Sequence, residues 1–143
     1  KNELNNKQPK PKSFHNILNV IGMSSCYSPN LNGIESKGYN FDLPFDISTG
    51  ELNESVFKKW LSKDPVNLVE KYRGNLHKLK LIFIDAGKKD EFNLNVGARI
   101  FVKKLKENEI NYLHEEFDDG HFNIQYRYDR VFEIISTYIN SQN

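Results

Sequence analysis

The chain has 143 residues, a formal net charge of +1 and 38% hydrophobic residues. This length fits one domain, and the balanced composition excludes strongly basic nucleic-acid binders and disordered tails. No apolar run reaches the about 18 residues of a membrane helix, and the single cysteine, Cys26, excludes an internal disulfide. We therefore expect no nucleic-acid partner, no membrane partner, no metal and no organic cofactor.

The opening residues, 1–13, are polar and rich in lysine, asparagine and proline, which is typical of a loop or linker. They lack the apolar core of a secretory signal peptide, so we expect a cytoplasmic protein. The chain does not begin with Met, and its opening is typical of a segment that continues an earlier one. We expect a fragment of a longer protein.

Three segments are predicted to be strands of a parallel sheet. Asn16 to Met23 is a short apolar run rich in β-branched residues, and Leu79 to Asp85 shows no polar alternation in its middle. Such runs are typical of strands that helices cover on both faces of a sheet. The third strand, Asn111 to Phe117, alternates between polar and apolar residues.

Four helices are predicted from apolar residues at helical spacing. For one of them, Asp64 supplies an N-cap and Pro65 the first helical position. In chain order, the four apolar stripes consist of Val56, Phe57, Trp60 and Leu61; of Leu68, Val69, Tyr72 and Leu76; of Leu94, Ala98, Phe101 and Leu105; and of Tyr128, Val131, Ile134, Ile135 and Tyr138. The order βααβαβα predicts an α/β fold in which residues 1–143 form one domain, a three-stranded parallel half-sheet flanked by helices.

A long segment, Ser24 to Gly50, connects the first two predicted strands and contains several turn-forming pairs. Ordered loops of this length often line a binding site, although a surface loop without a ligand is the alternative. The candidates for lining an acyl or aromatic-alcohol pocket are Ser25, Tyr27, Asn30, Phe41, Phe45 and Trp60. The same aromatic rings could equally pack the loop onto the sheet.

The chemistry is expected in the loops that follow the strands, because ligands gather at the carboxyl ends of parallel strands. These loops are Met23 to Asn30, Asp85 to Phe92 and Asp118 to His121. An acid on the second loop and the imidazole on the third would form the orienting acid and general base of a catalytic triad. Acid before histidine is also the chain order of the α/β-hydrolase fold, in which the nucleophilic serine comes first.

Several segments resemble an esterase branch of the α/β-hydrolases that includes the esterase D, enterochelin esterase and mycolyltransferase-like proteins. The resembling segments, spread over residues 23–130, are "MSSCYSPN", "LPFD", "DPVNLV", "DAGKKDEF", "GARIF" and "EEFDDGHFNIQYRYD". The resemblance implies the C-terminal part of an α/β-hydrolase fold, with Asp90 as the triad acid and His121 as the triad base. It also implies a small-molecule ester substrate and the activity of a serine esterase.

The chain departs from this family at the nucleophile. Only Gly22-Met23-Ser24-Ser25-Cys26 approaches the Gly-x-Ser-x-Gly pattern, with a cysteine at the second glycine and loop-forming residues where a helix should begin. In the resembling family the strand that ends in "MSS" follows the helix of the nucleophile. The resemblance therefore places the serine upstream of residue 1, in the N-terminal half of the same domain, and implies that this chain alone is inactive.

Other interpretations remain open for each of these residues. His121 could be an exposed turn histidine, Asp85 competes with Asp90 as the acid, and Glu91 could be a first-turn acid that complements a helix dipole. The chain as a whole could be a non-catalytic α/β module whose residues 24–50 bind a partner or a glycan. An exposed sheet edge would also favour a homo-oligomer.

Overall fold

The computed structural model describes residues 12–141. The chain divides into two compact units, Lys1–Asp64 and Pro65–Asn143. Most of the loop or linker predicted for residues 1–13 lies outside the described residues, and residues 12 and 13 begin the first helix. Between residues 12 and 141, no helix is long and apolar enough to cross a membrane.

The first unit contains three helices in its described part. They are α1 (Lys12–Tyr27), α2 (Gly33–Lys37) and α3 (Glu54–Leu61). Single antiparallel bridges join Pro29 to Phe41 and Phe45 to Leu52. The helix predicted around Val56 and Trp60 is confirmed as α3, and Asn53 caps it by accepting a hydrogen bond from the Val56 N–H.

The prediction of a strand over Asn16 to Met23 is wrong, because α1 covers this run. Its inward side chains include Val20, Ser24 and Tyr27, which are spaced four and three residues apart. This is the period of a helix, whereas a strand would bury alternate residues. The long connection predicted to begin at Ser24 therefore begins later, after Tyr27, because Ser24 to Tyr27 belong to α1.

The second unit contains a parallel pair of strands and the helices beside them. The helices are α4 (Pro65–Leu68), α5 (Arg73–Leu76), α6 (Leu94–Glu107) and α7 (Arg127–Asn140). The strands are β1 (Phe83–Gly87) and β2 (Leu113–Phe117), which pair parallel from Phe83↔Leu113 to Gly87↔Phe117. α6 makes the crossover between them, as the parallel arrangement requires.

The sheet is smaller than the predicted half-sheet of three strands. Among residues 12–141 it consists of β1 and β2 only, because the segment predicted as the first strand forms α1. The second and third predicted strands are found, each beginning a few residues later than expected. The fold is mixed α/β, with a two-stranded parallel sheet flanked by helices.

One face of this sheet packs on an apolar core. Val69, Leu105 and Ile110 are its buried centre, and Ile82 and Ile84 pack against it from the β1 side. The predicted helix after Asp64 supplies Val69, but it is split into α4 and α5. Tyr72 interrupts it with a backbone at φ −105° and ψ 15°, outside the helical region.

The other face carries an ion network that joins α7 to both strands. Asp85 and Glu115 are register partners, so their side chains lie side by side on this face. Arg127, whose side chain is 19% exposed, donates to Asp85 at 2.8 Å and to Glu115 at 2.9 Å. Arg130 also donates to Glu115. The hydrogen bonds from Arg130, together with those from Arg127, outweigh the effect of burial and lower the pKa of the Glu115 carboxyl.

We expect Arg127→Met to lower the free energy of unfolding by about 2–3 kcal/mol, because it leaves two partly buried carboxylates side by side without their shared cation. Urea unfolding measures the loss. The matched control is Lys103→Met, because Lys103 is 76% exposed and its pair with Glu107 is a surface pair worth well under about 1 kcal/mol. Equal losses in the two variants would contradict the account of the network.

Candidate active site

Two loops leave the carboxyl ends of β1 and β2 side by side. The Lys88 N–H donates to the Phe117 carbonyl at 2.8 Å, and the Lys89 N–H donates to the Asp119 carbonyl at 2.9 Å. These bonds continue the pairing of the strands into the loops. The segment 88–92, which we call the acid loop, is thereby held against the segment 118–121, which we call the histidine loop.

Gly87 is required where the two loops meet. A Cβ at this position would overlap the carbonyl oxygens of Asp119 and Gly120. Both are backbone atoms, which cannot move aside as the end of a long side chain can. The close approach of the acid loop to the histidine loop therefore depends on the missing side chain.

Asp90 is the acid that reaches the histidine. Its side chain is 4% exposed, and its Oδ2 lies 3.0 Å from Nδ1 of His121. Its other oxygen, Oδ1, accepts hydrogen bonds from the N–H groups of Phe92 at 2.8 Å and Leu94 at 3.2 Å. The contact expected between Asp90 and His121 is thus present in the structure.

The hydrogen bonds around Asp90 determine its charge. Burial acts to raise its pKa, but the N–H groups of Leu94 and Phe92 and the imidazole of His121 outweigh burial, so the pKa is lowered. The carboxyl is therefore ionised at neutral pH and can only accept hydrogen bonds. It follows that Nδ1 of His121 carries the proton in the contact with Asp90.

The second ring nitrogen of His121 is left available. Among the described residues Nε2 makes no hydrogen bond, and the side chain is 39% exposed. Phe92 and Phe122 stand edge-on to the ring, with centroids 5.0 and 5.1 Å away. With the proton on Nδ1, the neutral ring presents a lone pair on Nε2, as a general base requires.

Asp85, the competing acid, is occupied elsewhere. It lies within β1, and Arg127 binds both of its oxygens, at 2.8 and 3.2 Å. Asp119, in the histidine loop, accepts from the Gly120 N–H and from the Tyr126 hydroxyl. These bonds shape the turn that precedes His121.

The alternative considered for Glu91, a first-turn acid that complements a helix dipole, is wrong. α6 begins at Leu94 and has no acidic residue in its first turn. The Glu91 Oε2 instead accepts the backbone N–H of His121 at 2.8 Å. No spacing in the sequence indicates this contact; the one available clue is that Glu91 directly follows Asp90.

The predicted substrate-binding residues all belong to the first unit, whereas Asp90 and His121 belong to the second. Trp60 donates to the Ser28 hydroxyl at 3.0 Å and contacts the Tyr27 ring edge-on, and Asn30 donates to Asp42 at 3.0 Å. The Ser25 hydroxyl donates to a carbonyl within α1. These contacts lie within the first unit, and the binding role of all six candidates stays a prediction.

An open cavity of about 670 Å³ in the first unit has one of the six pocket candidates, Phe45, in its wall. The other five candidates, Ser25, Tyr27, Asn30, Phe41 and Trp60, do not line it. Ser24, in the near-match "GMSSC", is fully buried inside α1, and its hydroxyl has no hydrogen-bond partner within the described residues. A nucleophile elbow instead exposes its serine on a turn between a strand and a helix.

The described part of the chain also contains no cluster of three or more potential metal ligands.

No protein-family model matches the chain, and a search of curated proteins finds no significant match. The family resemblance of its motifs is therefore a hypothesis, and the geometry of the two loops is the observation that bears on function.

We expect Gly87→Ala to destabilise the protein by about 1–3 kcal/mol, because the added methyl group overlaps backbone atoms of the histidine loop. The matched control is Gly97→Ala within α6, where a Cβ meets no atom within 4 Å. That change should stabilise the protein by about 0.5–1 kcal/mol through helix propensity. Thermal unfolding of both variants measures the contrast, and a neutral Gly87→Ala would contradict the close approach.

The lowered pKa of Asp90 predicts an acid-dependent contribution to stability. Since the folded pKa lies below the ordinary value of 3.8, the contribution is complete above about pH 4 and is lost as the pH falls through the folded pKa. Asp90→Asn should therefore be less stable than the unchanged chain at pH 7, and the gap should narrow below about pH 4. Unfolding curves across this range measure the gap.

The matched control for the acid titration is Asp118→Asn, because Asp118 forms a largely exposed pair with Lys89. Its unfolding free energy should stay close to that of the unchanged chain at every pH. A constant gap between Asp90→Asn and the unchanged chain down to the most acidic samples would show that Asp90 has no lowered pKa.

Proposed function

We propose that this chain supplies the acid and the general base of a Ser-His-Asp triad in a carboxylic ester hydrolase of the α/β-hydrolase type. The observation that carries the proposal is the 3.0 Å contact between Asp90 and His121 on loops at the carboxyl ends of two adjacent parallel strands. The nucleophilic serine is expected upstream of residue 1, as the motif resemblance implies.

In the proposed reaction, Nε2 of His121 removes the proton of the serine hydroxyl as the serine oxygen attacks the ester carbonyl. The imidazolium then gives this proton to the departing alcohol, which leaves an acyl-serine. A water molecule then attacks the acyl-serine and loses a proton to Nε2. The imidazolium returns this proton to the serine oxygen as the bond to the acyl group breaks and the acid is released. Asp90 holds the proton on Nδ1 throughout and stabilises the positive charge of the ring.

The partners follow from the same proposal. The outer edges of β1 and β2 have no further strand beside them within residues 12–141, and such edges pair readily with another strand. We propose that the N-terminal half of the same hydrolase domain pairs there, and that without it a second copy of the chain does so. The substrate class is a small-molecule ester.

A second candidate function is a non-catalytic module that binds a partner or a glycan through residues 24–50. An apolar groove of about 390 Å³ in the first unit favours it, because three exposed or half-buried residues of this segment line the groove. They are Leu43, Phe45 and Ile47, which face residues of α1 across the groove. This function predicts no dependence of binding on His121.

Hydrolysis of p-nitrophenyl acetate tests the esterase proposal. The 143-residue chain should be no faster than free imidazole at the same concentration, since it lacks the attacking oxygen and the oxyanion donors, of which each one is worth about 10²–10³ in rate. A longer protein that carries an upstream Gly-x-Ser-x-Gly should be active. In that protein His121→Ala should abolish turnover and Asp90→Asn should lower it by about 10³–10⁴.

Two results would contradict the proposal. One is an active longer protein whose turnover does not change in His121→Ala. The other is stoichiometric labelling of the isolated chain by a fluorophosphonate at Ser24 or Ser25, which would place the nucleophile within "GMSSC" instead of upstream.

A further inference from the structure

We propose that Glu91 is a positioning residue that fixes the backbone of His121 and thereby holds the ring in the tautomer needed for catalysis. The inference rests on the proposed function, in which Nε2 of His121 is the general base. It concerns a residue that does not touch the reacting atoms and acts only through His121.

Two consecutive acids of the acid loop bind His121 at different points. The Asp90 Oδ2 lies 3.0 Å from Nδ1 of the ring, and the Glu91 Oε2 accepts the backbone N–H of the same residue at 2.8 Å. The first contact holds the imidazole ring, and the second holds the backbone of His121. Together they leave the imidazole little freedom to turn away from Asp90.

The position of Gly120 supports this role. A Cβ on Gly120 would lie 2.8 and 2.9 Å from the two carboxylate oxygens of Glu91. The carboxylate thus occupies the space that a side chain would take at Gly120, directly beside the N–H that it accepts. Glycine at position 120 therefore permits the contact.

The backbone contact matters because a short hydrogen bond requires both distance and direction. His121 follows residues 119 and 120 in the histidine loop, and a shift of the loop backbone moves the imidazole ring of His121. If the contact of Nδ1 with Asp90 weakens, the ring can carry its proton on Nε2 instead of Nδ1. A protonated Nε2 has no free lone pair and cannot accept the proton of a serine. Glu91 therefore acts on the tautomer ratio through the location of the backbone.

The test measures the tautomer of His121 in the 143-residue chain labelled with ¹⁵N in histidine, at a pH where the ring is neutral. Long-range ¹H–¹⁵N correlations distinguish Nδ1–H from Nε2–H. We expect mainly Nδ1–H in the unchanged chain, and a ratio of Nδ1–H to Nε2–H that is lower by about fivefold in Glu91→Ala, the size of one net hydrogen bond.

Three further variants separate positioning from general loss of structure. Glu91→Gln keeps an oxygen that accepts the N–H and should restore the ratio. Gly120→Ala keeps Glu91 but places a methyl group where its carboxylate lies, and should reproduce the effect of Glu91→Ala. Asp118→Ala removes a nearby surface acid that pairs with Lys89 and should leave the ratio unchanged.

A ratio that is unchanged in both Glu91→Ala and Gly120→Ala, with Nδ1–H dominant, would overturn the role of Glu91 and leave the contact between Asp90 and His121 intact. If Glu91→Ala does not fold, Gly120→Ala and Glu91→Gln decide the question by the same measurement. A dominant Nε2–H tautomer in the unchanged chain, insensitive to Asp90→Asn, would overturn both this inference and the proposed function.

Discussion

The parallel register of β1 with β2 is the constraint on which the candidate site depends. Gly87 and Phe117 are the last partners of this register, so both strands end at the same level. The first backbone bonds beyond them, from Lys88 and Lys89, hold the acid loop and the histidine loop together. The contact between Asp90 and His121 is thus a consequence of strand pairing over residues that are distant in sequence.

Charge is divided between the body of the sheet and its end. Arg127 pairs with Asp85 and Glu115, which lie within the two strands on one face of the sheet. Asp90 lies beyond them, where its partners are backbone N–H groups and His121, without a competing cation among its hydrogen-bond partners in the described part of the chain. Because of this separation, the His121 imidazole is the side chain that pairs with the Asp90 carboxylate.

Much of the second unit was predictable from the sequence, and less of the first. The apolar run before Asp85 and the alternating segment before Asp118 indicate strands, and the stripe from Leu94 to Leu105 indicates the crossover that makes them parallel. The run from Asn16 to Met23 was misassigned because a short apolar segment fits both periods. The contact of Glu91 depends on loop backbone geometry, which leaves no periodic pattern in the sequence.

A double-mutant cycle for unfolding tests the central contact most directly, with Asp90→Asn and His121→Ala measured singly and together in the 143-residue chain. The account predicts a coupling free energy of about 1 kcal/mol between Asp90 and His121, and a coupling near zero when Asp85→Asn replaces Asp90→Asn. No coupling to Asp90, or a larger coupling to Asp85, would contradict it.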